Sequence, residues 1–308
     1  MTAKIEGHVE PGFEGVRDAF AANFAEHREV GGSDERVAAR RQRRRRPWPN
    51  RDTQRRRRPV LGRERIDEGG RERFSHSSFP RTVGEIVRRI SGKSLGTFFA
   101  DEVAAPLGLD FWIGLPESEY DRVAPLVAFE RPTDPEAEKM YEQFFGPDSI
   151  TGRALSAPGG ALSRDGIFNT PEMWRAEVPA ANGITNARSL ARMYASLVGE
   201  VDGIRVLSPA QVAAARTCQT EGNDRILFFE TRFGLGFMLS SPFSPFGGPK
   251  AFGHPGAGGS VGFADPDAQL GFGYVMNKMQ QNLSGDPRTI GLIQSSYAAI
   301  GAPSPISS

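Results

Sequence analysis

The segment between Arg36 and Arg73 constrains the fold of this chain most, because it carries sixteen arginines and five acidic residues. Its net charge is about +11, so the other residues carry about −10 within a formal net charge of +1. Apolar residues in this segment are few and follow no period. Such a composition cannot bury enough apolar surface to offset the entropy lost on ordering. The sequence therefore predicts disorder over residues 32–80, with folded structure on either side.

The two flanking parts have the composition of ordinary globular protein. Residues 1–31 place Phe13, Val16 and Phe20 at helical spacing, which predicts one amphipathic helix. Residues 81–301 are long enough to bury a core of their own. A short tail, residues 302–308, completes the chain.

The pattern within residues 81–301 predicts an α+β fold. Three strands are expected at residues 233–239, 261–264 and 270–276, the last two joined by a tight turn. Helical patterns surround them, and helices packed around an antiparallel sheet define the α+β class. Residues 110–181 are rich in proline, glycine and acids, and we expect long loops there.

Composition also limits the cofactors and the location. Cys218 is the single cysteine, so an internal disulfide and a cysteine zinc site are excluded, and a reducing compartment is favoured. The histidines His8, His27 and His76 show no metal-ligand spacing. The N-terminus has no apolar signal core, and no run of about 18 apolar residues could span a membrane. We therefore expect a cytoplasmic protein without a metal or an organic cofactor.

Residues 252–260 read Phe-Gly-His-Pro-Gly-Ala-Gly-Gly-Ser and form the strongest candidate site. Glycine permits positive φ and close approach of the backbone to a ligand. It also leaves backbone N–H groups uncovered, so a strand edge here could present an oxyanion-binding amide beside the titratable imidazole of His254. This stretch is predicted to be one wall of an active site.

Several segments together, in their order along the chain, resemble the β-lactamase-related serine hydrolases. This family includes class C β-lactamases, penicillin-binding-protein-like peptidases and related esterases, and the resemblance implies a β-lactamase-like fold. The helix of residues 1–31 is similar to the first helix of that fold. The other matching segments are Gly84-Glu85-Ile86-Val87, Gly92-Lys93-Ser94-Leu95, Pro106-Leu107-Gly108-Leu109, residues 183–191, His254-Pro255-Gly256 and Met276-Asn277-Lys278.

The resemblance assigns roles to four residues. The family uses a Ser-x-x-Lys nucleophile motif, a tyrosine loop, and a wall motif of the form Lys-Thr-Gly or His-x-Gly. The wall motif corresponds to His254 and Gly256, which implies that His254 lines the pocket and that the Ala257 amide is the oxyanion donor. Asn277 would contact the substrate. The implied activity is hydrolysis of a small ester or amide through a serine acyl-enzyme, and the His-x-Gly form favours an esterase.

The other two motifs are missing from the sequence. None of the five lysines follows a serine by three positions, and the first tyrosine, Tyr120, lies beyond the expected place. Both motifs, and the first two strands of the fold, should lie where the arginines are. We interpret residues 32–80 as the translation of DNA read in a shifted frame. The centre of the fold would then be incomplete, and the chain could not form an acyl-enzyme. The edge of strand Leu270–Met276 would then be open, which predicts poor solubility.

Three alternatives remain open at the level of sequence. Gly258–Gly262 fits the G-x-S-x-G pattern with Ser260 as nucleophile, although that motif requires a strand before the serine and a helix after it. The arginines could bind nucleic acid without sequence preference, with Trp48 stacking on a base. The pocket could also serve a pseudoenzyme that binds or scaffolds.

Overall fold

The computed structural model describes residues 5–38, 78–156, 160–242, 244–282 and 284–306. Its strands form a seven-stranded antiparallel sheet in the order β1-β9-β8-β7-β6-β5-β4, and β2 and β3 pair separately. The strands are β1 (Gly32–Ala38), β2 (Phe111–Ile113), β3 (Gly183–Thr185), β4 (Thr220–Asn223), β5 (Glu230–Phe233), β6 (Met238–Leu239), β7 (Phe252–Pro255), β8 (Val261–Asp265) and β9 (Leu270–Met276).

Helices lie on both faces of the sheet and in the segment between β1 and β4. A π-helical turn, Ala100–Ala104, joins α3 to α4. The helices are α1 (Glu14–Glu26), α2 (Ser78–Ser91), α3 (Leu95–Phe99), α4 (Ala105–Leu107), α5 (Pro135–Phe145), α6 (Ile150–Ser156), α7 (Pro171–Arg175), α8 (Ala187–Val198), α9 (Pro209–Ala215) and α10 (Pro287–Ala299). None of the described helices is long and apolar enough to cross a membrane. The α+β class expected from the sequence is confirmed.

Successive side chains of β9 point to opposite faces of the sheet, so the core lies in two layers. Leu270, Phe272 and Tyr274 are buried in the cluster that also holds residues of α1 and α10. The residues between them face α8, where a Cβ on Gly271 would lie 2.3 Å from the Ala195 nitrogen. Glycine at this position therefore lets the α8 backbone lie directly on the sheet, and the central strands are covered on both sides.

The predicted open edge of β9 is wrong. Strand β1 pairs with β9 along its whole length, from Gly32 opposite Met276 to Ala38 opposite Leu270. Pairing uses backbone N–H and C=O groups, which every non-proline residue supplies, so the polar composition of this segment does not prevent it. The expected disorder of residues 32–80 is likewise wrong at both ends, where β1 and the start of α2 form. The remaining part of that prediction, residues 39–77, lies outside the described residues.

Two other expectations need correction. The strand predicted at residues 233–239 is split into β5 and β6, because Gly236 has a φ of 83° and turns the chain. The long loops expected at residues 110–181 contain α5, α6 and α7. Asp134 caps α5 ahead of Pro135, and Thr170 caps α7 ahead of Pro171. Proline at the first helical position favours a helix start, so the prolines that suggested loops begin helices.

Candidate functional site

His254 lies near the C-terminal end of β7, a strand in the interior of the sheet. Phe252 and Gly253 are buried beneath it, whereas the His254 side chain is exposed, with its ring centroid 6.1 Å from that of Phe233. The His254 Nδ1 lies 2.6 Å from the Pro255 carbonyl oxygen. A carbonyl oxygen only accepts, so this contact requires a proton on Nδ1.

The loop that follows β7 folds back on itself within five residues. The Gly256 N–H donates to the Ser260 carbonyl across 2.6 Å, and the Gly259 N–H donates to the Gly256 carbonyl across 3.1 Å. Gly258 and Gly259 have φ of 91° and 120°, a region that favours glycine. We call residues 256–260 the wall loop.

Ala257 lies exposed at the crest of the wall loop. Within the described part of the chain its backbone N–H donates to no other residue. A backbone amide that the fold does not use can donate to a carbonyl oxygen or an oxyanion of a bound molecule. The structure thus brings His254, Gly256 and Ala257 together, while their predicted roles stay predictions.

The inner side of the wall loop is attached to the protein at Gly258. Its N–H donates to the Asn282 carbonyl across 3.1 Å. Its carbonyl accepts from the Gln280 N–H at 3.0 Å and from Arg288 Nη2 at 2.7 Å. These three hydrogen bonds at Gly258 hold the inner side of the wall loop, whereas Ala257 at its crest is exposed.

Asn277 lies at the same end of the sheet as the wall loop, just after β9 ends. Its N–H donates to the Gly31 carbonyl across 3.0 Å, and its own carbonyl accepts from the Val127 N–H across 2.7 Å. Its side-chain Oδ1 is buried against Gly31 and has no hydrogen-bond partner among the described residues. Contact between Asn277 and a substrate remains a prediction.

Ser260 does not lie in a nucleophile elbow. It follows Gly259 in the wall loop and leads directly into strand β8, whereas the elbow needs a helix after the serine. Its Oγ packs on Gly256, 2.2 Å from the place that a Cβ of Gly256 would take. The G-x-S-x-G match therefore lacks the geometry that would activate its serine.

Two of the lysines and one tyrosine are poorly placed to assist a nucleophile. Lys93 Nζ pairs with Asp101 at 2.7 Å, and Lys250 Nζ pairs with Asp267 at 3.0 Å. Burial raises the pKa of Tyr194 far above its ordinary value, which opposes a role as a base. The Cys218 thiol is exposed, and the described residues hold no group of three or more His, Cys, Asp or Glu that could bind a metal.

A buried ionic cluster beneath the wall loop was missed by the sequence analysis. It joins Arg288 at the start of α10 to Asp286 and to Glu29, a residue of the N-terminal part. The only sequence signal is Asp286-Pro287, a helix start with an N-cap carboxylate. Charged residues are rarely fully buried, so nothing in the sequence indicated that these side chains lie below the site.

The sequence model of the family described as Beta-lactamase matches residues 29–294 of the chain. Among curated proteins, the Mycobacterium tuberculosis protein called Esterase/beta-lactamase LipL is 31% identical over 224 residues. That match covers 68% of this chain and 49% of LipL, so the chain spans about half the length of the curated relatives it matches.

Two solved structures are similar to this fold. A penicillin-binding protein homologue from Caulobacter crescentus is 36% identical with a TM-score of 0.59, over 72% of this chain and 57% of its own. A structure described as a family VIII carboxylesterase is 26% identical with a TM-score of 0.67, over 96% of this chain and 100% of its own.

Proposed function

Because this chain belongs to the beta-lactamase family, a hydrolase family of β-lactamase and esterase type, we propose that it binds small esters or amides at the wall loop without forming an acyl-enzyme. The observation that carries this proposal is Ala257, an exposed residue whose N–H donates to no other described residue, three positions after the exposed His254 on a loop whose inner side is held at Gly258.

The binding step follows from the donors present. A ligand carbonyl oxygen accepts a hydrogen bond from the Ala257 N–H, and the His254 ring lies next to the bound group. One neutral hydrogen bond contributes about 1 kcal/mol net. Millimolar affinity corresponds to about 4 kcal/mol. Binding of a small amide through this contact is therefore millimolar or weaker unless apolar contacts add to it.

The lack of turnover is argued from the sequence. An acyl-enzyme needs a serine with an adjacent amine or imidazole that removes its proton. No serine lies three positions before any lysine of this chain, and Ser260 does not occupy a nucleophile elbow. A ligand at the wall loop is then bound and released unchanged.

The resemblance to the family implies that the nucleophile motif should lie where the arginine-rich segment stands, and we attribute that segment to a shifted reading frame. Sequencing the DNA for residues 28–86 and translating all three frames tests this. A frame that contains Ser-x-x-Lys supports the attribution, and three frames without it contradict the attribution.

The same arginines support a second proposal, binding of nucleic acid without sequence preference. The observation in its favour is the sixteen arginines between Arg36 and Arg73, since arginine clusters neutralise phosphates. This function would be independent of the wall loop.

Titration of the ¹⁵N-labelled protein with butyramide tests binding at the wall loop. Butyramide presents a carbonyl acceptor and cannot acylate a serine readily. We expect the Ala257 and Gly258 amide resonances to shift with concentration. The Ala257→Pro variant, which removes the donor, loses the Gly258 shift, and the matched Ala257→Gly variant keeps it. Equal shifts in both variants, or none at the loop in the unmodified protein, would overturn the proposal.

A further inference from the structure

Arg288 is a fully buried arginine that lies directly below the wall loop. It is the second residue of α10, and its side chain has 0% exposure. A guanidinium carries five N–H donors in a fixed plane, and leaving any of them unpaired in the interior is costly. The groups that accept hydrogen bonds from these donors are therefore the parts of the chain that Arg288 holds in place.

All five donors are used, and they reach four separate parts of the chain. Two of the bonds are a bidentate pair with the Asp286 carboxylate at the helix start. The five bonds are Nε to Asp286 Oδ1 at 3.0 Å, Nη2 to Asp286 Oδ2 at 2.8 Å, Nη2 to the Gly258 carbonyl at 2.7 Å, Nη1 to the Lys278 carbonyl at 2.8 Å, and Nη1 to Glu29 Oε2 at 3.0 Å.

Glu29 connects this cluster to the N-terminal part of the chain. Its Oε2 accepts from Arg288 and from the Tyr274 hydroxyl, while its Oε1 accepts from the N–H groups of Val30 and Gly31. These two residues lead into β1. Glu29, three positions before the edge strand, and Gly258 of the wall loop are thus bound to the same guanidinium.

The wall loop rests on this ion pair without space for a side chain. A Cβ on Gly259 would lie 2.1 Å from Asp286 Oδ2 and 2.3 Å from Arg288 Nη2. The loop and the ion pair therefore fit each other only in this arrangement, and a shift of either one displaces the other.

We propose that Arg288 is a positioning residue for the wall loop: by holding the Gly258 carbonyl it keeps the Ala257 amide directed outward. Its effect on ligands rests on the proposed binding function, whereas its effect on the loop does not. Lysine at this position keeps the charge but has donors at one atom only, so it cannot reach Gly258, Lys278 and both carboxylates together.

Backbone hydrogen exchange of Arg288→Lys, followed by NMR, tests the proposal. We expect the Gly258 amide to exchange at least about tenfold faster, because a weakly held loop opens locally, while amides of β8 and β9 stay within about twofold of the unmodified protein. The Ala257 resonance should shift and its response to butyramide should fall. Arg205→Lys is the matched control, since Arg205 donates to the Leu197 and Leu207 carbonyls, away from the loop.

The outcomes separate the two proposals. Faster Gly258 exchange supports the positioning role even if butyramide never binds, in which case only the binding function fails. Unchanged Gly258 exchange and an unchanged Ala257 resonance in folded Arg288→Lys would overturn the positioning role.

A measurement on the unmodified protein keeps the test decisive if Arg288→Lys does not fold. With ¹⁵N-arginine labelling, a guanidinium held at all five donors shows separate, slowly exchanging Nη–H signals at neutral pH. A single averaged Nη signal for Arg288 would contradict the fixed arrangement on which the proposal depends.

Discussion

Glu29 and Arg288 lie at opposite ends of the chain and form an ion pair of 3.0 Å in which both side chains have 0% exposure. Burying two charges costs several kcal/mol per ion before their attraction is counted. Here Arg288 also donates to the Asp286 carboxylate and to the Gly258 carbonyl, and Glu29 also accepts from the Tyr274 hydroxyl. These bonds satisfy the hydrogen-bonding groups that the ion pair leaves over. Arg288 therefore links Glu29 of the N-terminal part to Gly258 of the wall loop through hydrogen bonds.

Removing Glu29 should be far more costly than removing an exposed acid. Glu29→Ala leaves the Arg288 charge and the Tyr274 hydroxyl without a buried partner, so we expect a loss of about 3–5 kcal/mol in the free energy of unfolding. Urea denaturation measures it. The matched Glu130→Ala variant breaks a pair with Lys278 in which Glu130 is 72% exposed, and should cost about 0–1 kcal/mol. Equal losses would contradict the buried cluster.

A side chain at Gly271 should push α8 off the sheet. The Cβ of Gly271→Ala would meet the α8 backbone 2.3 Å away at the Ala195 nitrogen. We expect destabilisation of about 1–3 kcal/mol, typical of an overpacked core. Gly15→Ala, in α1 with nothing within 4 Å of the new Cβ, should instead stabilise by about 0.5–1 kcal/mol. Thermal unfolding of both variants measures the difference between their stabilities. If α8 does not lie on β9, Gly271→Ala should not destabilise the protein relative to Gly15→Ala.

The buried tyrosines should couple stability to alkaline pH. Burial raises the pKa of Tyr194, Tyr274 and Tyr297, with the Glu29 and Asp265 carboxylates adding to the effect at the last two. An unfolded tyrosine ionises near pH 10. Above that pH the unfolded state binds fewer protons than the folded state, so stability is full below about pH 10 and falls as pH rises.

Tyrosinate absorbance near 295 nm tests this coupling. The absorbance from these three tyrosines should appear together with unfolding, measured in parallel by circular dichroism. Tyr194→Phe should reduce the amplitude that accompanies unfolding and leave the earlier part of the curve unchanged. Ionisation of Tyr194 while the protein stays folded would contradict its buried position.

Nucleic-acid binding, if it occurs through the arginines, should depend strongly on salt. Neutralising Z phosphates lowers log K with log salt at a slope of about −0.9Z on duplex DNA. We expect little difference between unrelated sequences, and removal of residues 40–58 should abolish the binding. Fluorescence anisotropy with a labelled duplex at several salt concentrations measures both. An affinity that barely changes with salt would exclude phosphate contacts as its source.

The tight loop after His254 could be predicted from sequence because its signal is local. Glycines around His254 indicate a tight loop that only particular residues tolerate, and the two strand patterns that follow it match β8 and β9. Ser94 caps α3 in the same local way, since its Oγ accepts from the Thr97 N–H across 3.2 Å.

The buried cluster and the edge strand could not be predicted because their causes are not local. Arg288 is buried only because Glu29 and Gly258 reach it from distant parts of the chain, and a composition-based rule places arginine at the surface. Strand β1 forms because its backbone pairs with the edge of β9, so its own sequence contains little that would predict a strand. Tertiary context overrides local preference in both cases.

The measurement that tests the account most directly is intact-protein mass spectrometry after incubation with p-nitrophenyl butyrate and, separately, with a fluorophosphonate. We predict an unchanged mass with both reagents and no release of p-nitrophenol above the rate in buffer. A protein that gains one butyryl or phosphonyl group on a serine would contradict the account, and peptide mapping would show whether Ser260 or another serine is the nucleophile.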